Sequence, residues 1–397
     1  MKRFLFGLLI SCLGIIGSTG SLRAQTYDLV RALAWSPAGS TLAIGGTIEG
    51  KTGVYLRQNS TITAFFETTG NVLRLAWSPD GTKLAGIVGG ESGTIQIWDV
   101  NRGAILSTID QGSAGSTYDL KWNFDGTYLA FAQGTTVVAA GKEITKLTVP
   151  LDKQFQTFAW YPNKNQIFVP GLDRILRLGD ITTNKIILEK NTSSFVASLA
   201  ASPDGKTLAI GGSDGTVQIW DLATYSILYT MQATKDVVWN LEWSGDGQTI
   251  AAAGSSYDIT IWDANTGELL DIIEKRTAGF LTTLALSPYG GRLAYSTDSM
   301  KGTHANEISS LTAAQKDYTE PILNGAVQIV VPAPSLEKLQ SIAQACGVQT
   351  SIQQLITAEQ LQTFVTQVSA LTDTQIPAGC KADLLAVTNA LIAKPLD

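Results

Sequence analysis

The chain has 397 residues, of which 44% are hydrophobic and 16% charged, and its net charge is −6. This composition is typical of a globular protein, and the length is ample for a large core. The acidic balance argues against nucleic acid as a main partner, because nucleic-acid binding needs a basic stripe on the surface.

Residues 1–24 have the pattern of an export signal. A short positive segment of one Lys and one Arg precedes an apolar stretch of 13 residues, 4–16. That stretch is shorter than the roughly 20 residues of a transmembrane helix, so we expect cleavage after Ala24 and no membrane span in the mature chain. Two alternatives stay open. The four residues that end at Cys12 resemble a bacterial lipobox, which would place a lipid anchor there, or the signal is retained uncleaved.

After this segment one motif recurs at spacings of 38–45 residues. Its clearest copy, Trp-Ser-Pro-Asp-Gly at 77–81, ends an apolar run with a tight turn, since Pro presets φ and Gly accepts positive φ. Apolar runs of about four to six residues between such turns predict strands, and the period predicts a repeat architecture. The copies begin at Trp35, Trp77, Trp122, Trp160, Ala201, Trp243 and Leu286.

Several copies also end in a Trp-Asp pair. Period and dipeptide together resemble the WD-repeat family of β-propellers over about residues 27–332, and the signal indicates a bacterial-type exported member. The resemblance implies an all-β, seven-bladed β-propeller over residues 25–332, in which each four-stranded unit covers its faces by stacking on its neighbours. We expect the repeating Trp and Asp residues to be structural, filling gaps between blades and capping turns. The pairs are Trp98-Asp99, Trp220-Asp221 and Trp262-Asp263.

Family members often carry a His before the first strand, joined to the Asp of the second turn by buried hydrogen bonds. The single His of this chain, His304, lies elsewhere. The blades are therefore expected to rely on packing and on backbone ladders.

The seventh copy is interrupted by the 28 residues 297–324. Loops longer than about 12–15 residues are usually functional or disordered. The third strand resumes at 325–330, and no clear fourth strand follows. We therefore predict a three-stranded seventh blade that latches the ring weakly, with the C-terminal tail near its bare edge. If the signal is retained, residues 21–26 would serve as the fourth strand.

Residues 333–397 change from a strand period to a helical one after a proline-rich break. The spacing of apolar residues predicts a small α-helical domain with three helices. Cys346 and Cys380 are the only cysteines outside the signal. We predict a disulfide between them, because export permits it; two buried free thiols are the alternative.

Little in the sequence points to catalysis. Residues 211–215 match the pattern G-x-S-x-G, but they lie between two strands and have no His partner. We predict no catalytic residue, no metal site and no cofactor. The favoured function is an exported, non-enzymatic interaction or scaffold module that binds a protein or envelope component through one face. The alternative is an exported hydrolase or lyase that uses the central channel.

The candidate binding face carries the insertion and the loops that join second to third strands. We expect a monomer outside the cytoplasm, secreted or periplasmic, or else lipid-anchored at the envelope. The candidate binding residues are Glu49, Lys51, Glu91, Asp258, Lys301, His304, Glu307 and Tyr318.

Overall fold

The computed structural model describes residues 29–58, 61–89, 93–110, 119–133, 136–140, 144–148, 155–254, 258–273, 281–297, 320–322, 327–330, 336–348, 358–372 and 375–393. The predicted signal with Cys12 lies outside these stretches, as does most of the insertion at 297–324. All of the statements below refer to the described residues.

Four-stranded antiparallel sheets make up most of the chain. The first sheet contains β1 (Leu29–Trp35), β2 (Thr41–Ile48), β3 (Lys51–Gln58) and β4 (Thr61–Glu67), and the second contains β5 (Val72–Trp77), β6 (Lys83–Val88), β7 (Thr94–Asp99) and β8 (Ala104–Asp110). Next come β9 (Leu120–Trp122), β10 (Leu129–Gln133), β11 (Thr136–Ala140) and β12 (Ile144–Thr148), and then β13 (Ala159–Trp160), β14 (Gln166–Pro170), β15 (Ile175–Asp180) and β16 (Lys185–Asn191).

The second half of the propeller repeats this plan. One sheet contains β17 (Val196–Ala201), β18 (Thr207–Gly212), β19 (Thr216–Asp221) and β20 (Ser226–Gln232), and another contains β21 (Val238–Trp243), β22 (Thr249–Gly254), β23 (Ile259–Asp263) and β24 (Leu269–Ile273). The last contains β25 (Leu281–Leu286), β26 (Leu293–Thr297), β27 (Glu320–Ile322) and β28 (Val327–Val330). The first strand of each sheet is called its inner strand here, because these strands line the central channel.

The prediction of a seven-bladed propeller needs correction. Five blades are described with the side chains of all four strands: β1–β4, β5–β8, β13–β16, β17–β20 and β21–β24. The β9–β12 and β25–β28 sheets are defined by their strand pairing, and their outer strands are described by backbone alone. The fold is an all-β propeller with five fully described blades and three short helices.

The prediction of a three-stranded last sheet is wrong. Strand β27 pairs antiparallel with β28 and forms the outer edge, with Glu320 opposite Ile329 and Ile322 opposite Val327. The insertion supplies this strand, so the outer strand precedes its neighbour in sequence. Pro321 is compatible with the position, because proline is tolerated on edge strands.

A tight turn follows each inner strand, as the repeat predicts. Between β5 and β6, the Gly81 amide donates to the Ser78 carbonyl at 2.9 Å. Gly81 has φ +69°, a left-handed conformation that favours glycine. Ser78 Oγ donates to Asp80 Oδ1 at 2.6 Å. This hydrogen bond and the one from the Thr82 amide lower the pKa of Asp80 to about 2.

The core lies between neighbouring sheets rather than within any one of them. Val54 and Leu56 of the first sheet pack with Val72, Leu84 and Trp98 of the second. The first and last sheets share a cluster of the same kind. Each sheet therefore depends on its neighbours for burial, which is the source of most of the stability of a repeat protein.

Three helices follow the last sheet: α1 (Leu336–Ala345), α2 (Ala358–Ala370) and α3 (Ala378–Ala393). They enclose their own apolar cluster around Phe364 and Leu384. Cys346 and Cys380 form a disulfide within it, with Cα atoms 5.8 Å apart. No helix in the described stretches is both long enough and apolar enough to span a membrane.

Candidate binding surface and central channel

The propeller has two distinct faces. The turns that follow the inner strands, such as 36–40 and 78–82, lie on what we call the turn face. The loops that join second to third strands lie on the opposite loop face, with the connections between sheets. Hydrogen bonds tie these loops together: the Thr192 amide donates to Arg174 O, and the Ser213 amide donates to Phe195 O, each at 2.8 Å.

A central channel of about 1000 Å³ runs between the inner strands. Indole rings dominate its wall near the turn face. The indole N–H at the end of an inner strand donates to a main-chain carbonyl of the preceding inner strand in five sheets. The pairs are Trp35 to Ala285 at 3.2 Å, Trp77 to Ala34 at 3.0 Å, Trp122 to Ala76 at 3.1 Å, Trp160 to Lys121 at 3.0 Å and Trp243 to Ala200 at 3.0 Å.

These indoles explain why most copies of the repeat begin with Trp. Each joins one sheet to the next through a hydrogen bond from its indole N–H. Ala201 and Leu286 hold the equivalent positions in two sheets, and neither side chain can donate a hydrogen bond. The boundaries in front of those two sheets therefore rest on apolar packing and on other polar contacts.

The Trp-Asp pairs also hold structural positions. Trp98, Trp220 and Trp262 are at most 4% exposed. The carboxylate of Asp221 accepts the amides of Ala223 and Thr224 at 2.9 and 2.7 Å and thereby caps the next turn. Asp99 and Asp263 accept the equivalent amides in their own sheets.

A charged cluster lies in the channel wall. Lys121 Nζ donates to Asp119 Oδ2 at 2.7 Å and to the Phe158 carbonyl at 2.5 Å. The hydroxyl of Thr157 donates to the same Asp119 oxygen at 3.1 Å. Lys121 is thus held by Asp119 of its own sheet and by the Phe158 carbonyl of the next sheet. Its positive charge balances the Asp119 carboxylate.

Glu242 lines the channel from the β21–β24 blade. Burial raises the pKa of its carboxyl to about 7; Lys121 lowers it in part, and Asp119 raises it further. A carboxyl with this pKa exchanges a proton near neutral pH. Channel charge, and any binding in the channel, are therefore expected to depend on pH.

The sequence contained a signal for this cluster that motif reasoning missed. The residue just before the start of each copy is Ala in five copies, at 34, 76, 159, 200 and 285. Lys121 and Glu242 hold this position in the other two. Because alternate residues of a strand face the same way, a charge at a position otherwise held by Ala marks the channel wall.

The structure separates the predicted binding residues. Glu49, in the β2–β3 turn with φ +49°, and Lys51, the first residue of β3, are exposed close together. Asp258 is partly buried and lies before β23 in a different blade. Glu91, Lys301, His304, Glu307 and Tyr318 lie outside the described residues.

Exposed apolar side chains on the loop face were not predicted. Leu172 and Phe195 are 48% and 46% exposed, and Trp239 at the channel mouth is 49% exposed. The guanidinium of Arg174 lies 5.9 Å from the centre of the Phe195 ring. An aromatic residue in a polar connection between strands is the sequence signal that could have identified Phe195.

The sheets, the interlocking indoles and the two faces define a β-propeller repeat protein. Residues 183–221 and 225–263 each match the family described as WD domain, G-beta repeat. Residues 17–139 match the family described as eukaryotic translation initiation factor eIF2A.

Known relatives are similar over part of the chain. Cell division cycle 20.1, cofactor of APC complex, from Arabidopsis thaliana is 27% identical over 35% of this chain and 32% of its own length. Autophagy-related protein 16 from the same plant is 24% identical over 35% of this chain and 28% of its own length. Small ribosomal subunit protein RACK1 from Medicago sativa is 29% identical over 40% of this chain and 41% of its own length.

The chain therefore spans less than half the length of each of these relatives. The chain is thus similar to WD-domain repeats over residues 183–221 and 225–263, and to these relatives over part of its length. WD-repeat proteins generally mediate protein–protein interaction and scaffolding.

Proposed function

We propose that this propeller binds a protein partner through its loop face, with the channel mouth at the centre of the contact. The observation that carries the proposal is the set of large apolar side chains exposed there, Leu172, Phe195 and Trp239. The residues that contribute most to protein interfaces are enriched in Trp, Tyr and Arg, and Trp239 is one of these types. Arg174, which lies next to Phe195, is another.

The opposite face supports this choice. The helical tail contacts the turn face at three sheets through Lys338, Gly379 and Asp383. Part of the turn face is thus already covered by the chain itself. The described part of the loop face carries no such cover from the tail.

A photo-crosslinking residue placed at 195 tests the proposal in cells that produce the protein. The matched control is the same residue at 124, because Phe124 is exposed to a similar extent, 43%, on the turn face. We expect a crosslinked protein of defined mass from position 195 and none from position 124. Equal products from both positions, or a product from 124 alone, would contradict a loop-face contact.

We also propose that the protein is exported. Support comes from the signal-like residues 1–24 and from the Cys346–Cys380 disulfide, a bond that persists in oxidising compartments. Mass spectrometry of the N-terminal peptide after cell fractionation tests this. An extracytoplasmic chain beginning at Gln25 or lipidated at Cys12 is expected, and an intact N-terminus in the cytoplasm would contradict it.

A hydrolase or lyase in the channel is the second candidate, and Glu242 is the observation that favours it. General bases work best with a pKa near the working pH, and that of Glu242 is about 7. Activity of the purified protein on ester, glycoside or peptide substrates that E242Q abolishes would support this candidate. Turnover equal in both proteins would exclude Glu242 as the base.

A further inference from the structure

The turn of the last sheet lacks a carboxylate that other turns contain. In three blades a buried Ser hydroxyl donates to an Asp two residues later: Ser78 to Asp80 at 2.6 Å, Ser202 to Asp204 at 2.7 Å and Ser244 to Asp246 at 2.5 Å. In the last sheet the corresponding Ser is Ser287, and Tyr289 stands where the Asp would be. The Ser287 hydroxyl therefore has no Asp of its own turn as an acceptor.

The helical tail supplies that acceptor. Asp383 of α3 is fully buried, and its Oδ2 accepts a hydrogen bond from Ser287 Oγ at 2.9 Å. Its Oδ1 accepts a second bond from Arg292 Nε, which makes a buried ion pair. A carboxylate 96 residues further along the chain thus holds the place of the missing turn residue.

Arg292 extends this contact to the first sheet. One of its terminal nitrogens donates to Gly39 O at 2.7 Å, and its guanidinium lies 4.3 Å from the centre of the Trp35 ring. The turn of the first sheet also lacks the Asp, since Ala38 holds that position. Gly379 of α3 packs so closely here that a Cβ would overlap the Ala38 carbonyl oxygen. One helix therefore covers both of these turns.

A third contact lies on the β21–β24 blade. Lys338 Nζ of α1 donates to Thr249 Oγ1 at 2.9 Å and pairs with Asp246 at 3.3 Å. Ser341 Oγ donates to Gln248 Oε1 at 2.6 Å. Since the disulfide joins the segment after α1 to α3, the contacts of both helices are mechanically linked.

The boundary between the first and last sheets has a particular need for such contacts. Each described sheet draws its strands from its own stretch of chain, so no described strand is shared across this boundary. Polar links across it include Trp35 to Ala285 O and Ser296 to Val30 O, at 3.2 and 3.3 Å, besides the bond from Arg292 to Gly39 O. The tail adds buried, charge-assisted hydrogen bonds, which are stronger than neutral ones.

We propose that the helical tail is a clasp that holds the first and last sheets together, with Asp383 replacing the missing turn carboxylate of the last sheet. Asp383 is the positioning residue of this clasp: it fixes Arg292, and Arg292 holds the first sheet. We predicted that the tail lies near an outer edge of the last sheet. The structure instead shows it against three turns of the turn face.

Amide hydrogen exchange of the full chain tests the clasp. In D383N, exchange is expected to rise at least tenfold at residues 29–58 and 281–297, because the ion pair to Arg292 is lost. The matched control is D204N, which changes the same kind of turn carboxylate within one blade. It should raise exchange around 202–207 and leave 29–58 unchanged.

Exchange in D383N that rises only within the helices, with 29–58 at its original rate, would overturn the proposal. If D383N does not fold, K338Q provides the milder variant, because its charge lies on α1. Faster exchange at 29–58 in K338Q is then expected, since the disulfide transmits the loosening of α1 to α3. Unchanged exchange there would overturn the clasp equally.

Discussion

At the scale of single residues, Glu242 shows how one side chain sets the behaviour of the channel. It stands where most repeats have Ala, and burial raises the pKa of its carboxyl to about 7. An acid with a raised pKa in the folded state stays protonated there while the unfolded chain ionises. This residue therefore makes folding less favourable as pH rises from about 4.5 to 7.

The variant E242Q removes this dependence. At pH 8 we expect E242Q to be more stable than the original protein by about 1–3 kcal/mol, allowing for partial exposure to the channel. At pH 4 the difference should be much smaller, because the carboxyl is then mostly protonated in both states. Urea unfolding at the two pH values measures the difference.

The control is E268Q, which changes an exposed glutamate on a turn. At pH 8 it should change the free energy of unfolding by less than about 0.5 kcal/mol, as exposed substitutions usually do. A stabilisation by E242Q that is equal at pH 4 and pH 8 would contradict the assignment of the raised pKa to burial in the channel.

At the scale of strands and sheets, the indole hydrogen bonds join neighbouring blades. Replacing Trp77 with Phe removes the indole N–H and leaves the Ala34 carbonyl without this donor, while an aromatic ring is kept. W77F is expected to lower the free energy of unfolding by about 1 kcal/mol. W243F should behave alike, because it makes the same bond to Ala200 O. Denaturant titrations that match the original protein in both variants would contradict the role of the indoles.

The tail is the second element whose stability can be tested. Its disulfide has a sequence separation of 34. In the chain-entropy account, closing a loop of that size contributes about 3–4 kcal/mol. The double variant C346S/C380S should therefore unfold its helices at a lower urea concentration, seen by far-ultraviolet circular dichroism. Two thiols that alkylate in the native protein without reductant would show that the bridge is absent.

The turns, strands and helices differ in how well the sequence predicts them. The Ser-Pro-Asp-Gly turns and the strands that flank them depend on residues a few positions apart, so the pattern predicts them. Strand β27 has only three residues, and the middle one is proline. Such a short segment shows no alternating pattern that would predict a strand. The docking of α3 depends on Asp383 meeting Ser287, and nothing local to either residue announces that pairing.

The candidate site was partly predictable for the same reason. The loop face follows from the repeat, and Glu49 and Lys51 lie exposed on it, while their part in binding stays a prediction. The channel charges were readable from the position before the Trp, but only once the strands were known to line a channel. The apolar residues at 172, 195 and 239 come from three different blades and share no motif.

At the scale of the whole molecule, the two faces have different occupants. The tail covers part of the turn face and holds the first and last sheets, whereas the loop face presents large apolar groups around the channel mouth. The blade count also belongs to this scale: a sequence period counts repeats, and it does not ensure that each repeat forms a complete blade.

The most direct test of the account is the affinity of the crosslinked partner for two matched variants. F195A and F124A remove the same ring from opposite faces at similar exposure, 46% and 43%. The account predicts that F195A weakens binding at least tenfold, which is about 1.4 kcal/mol, and that F124A leaves it within twofold. Weaker binding in F124A, with full affinity in F195A, would contradict it.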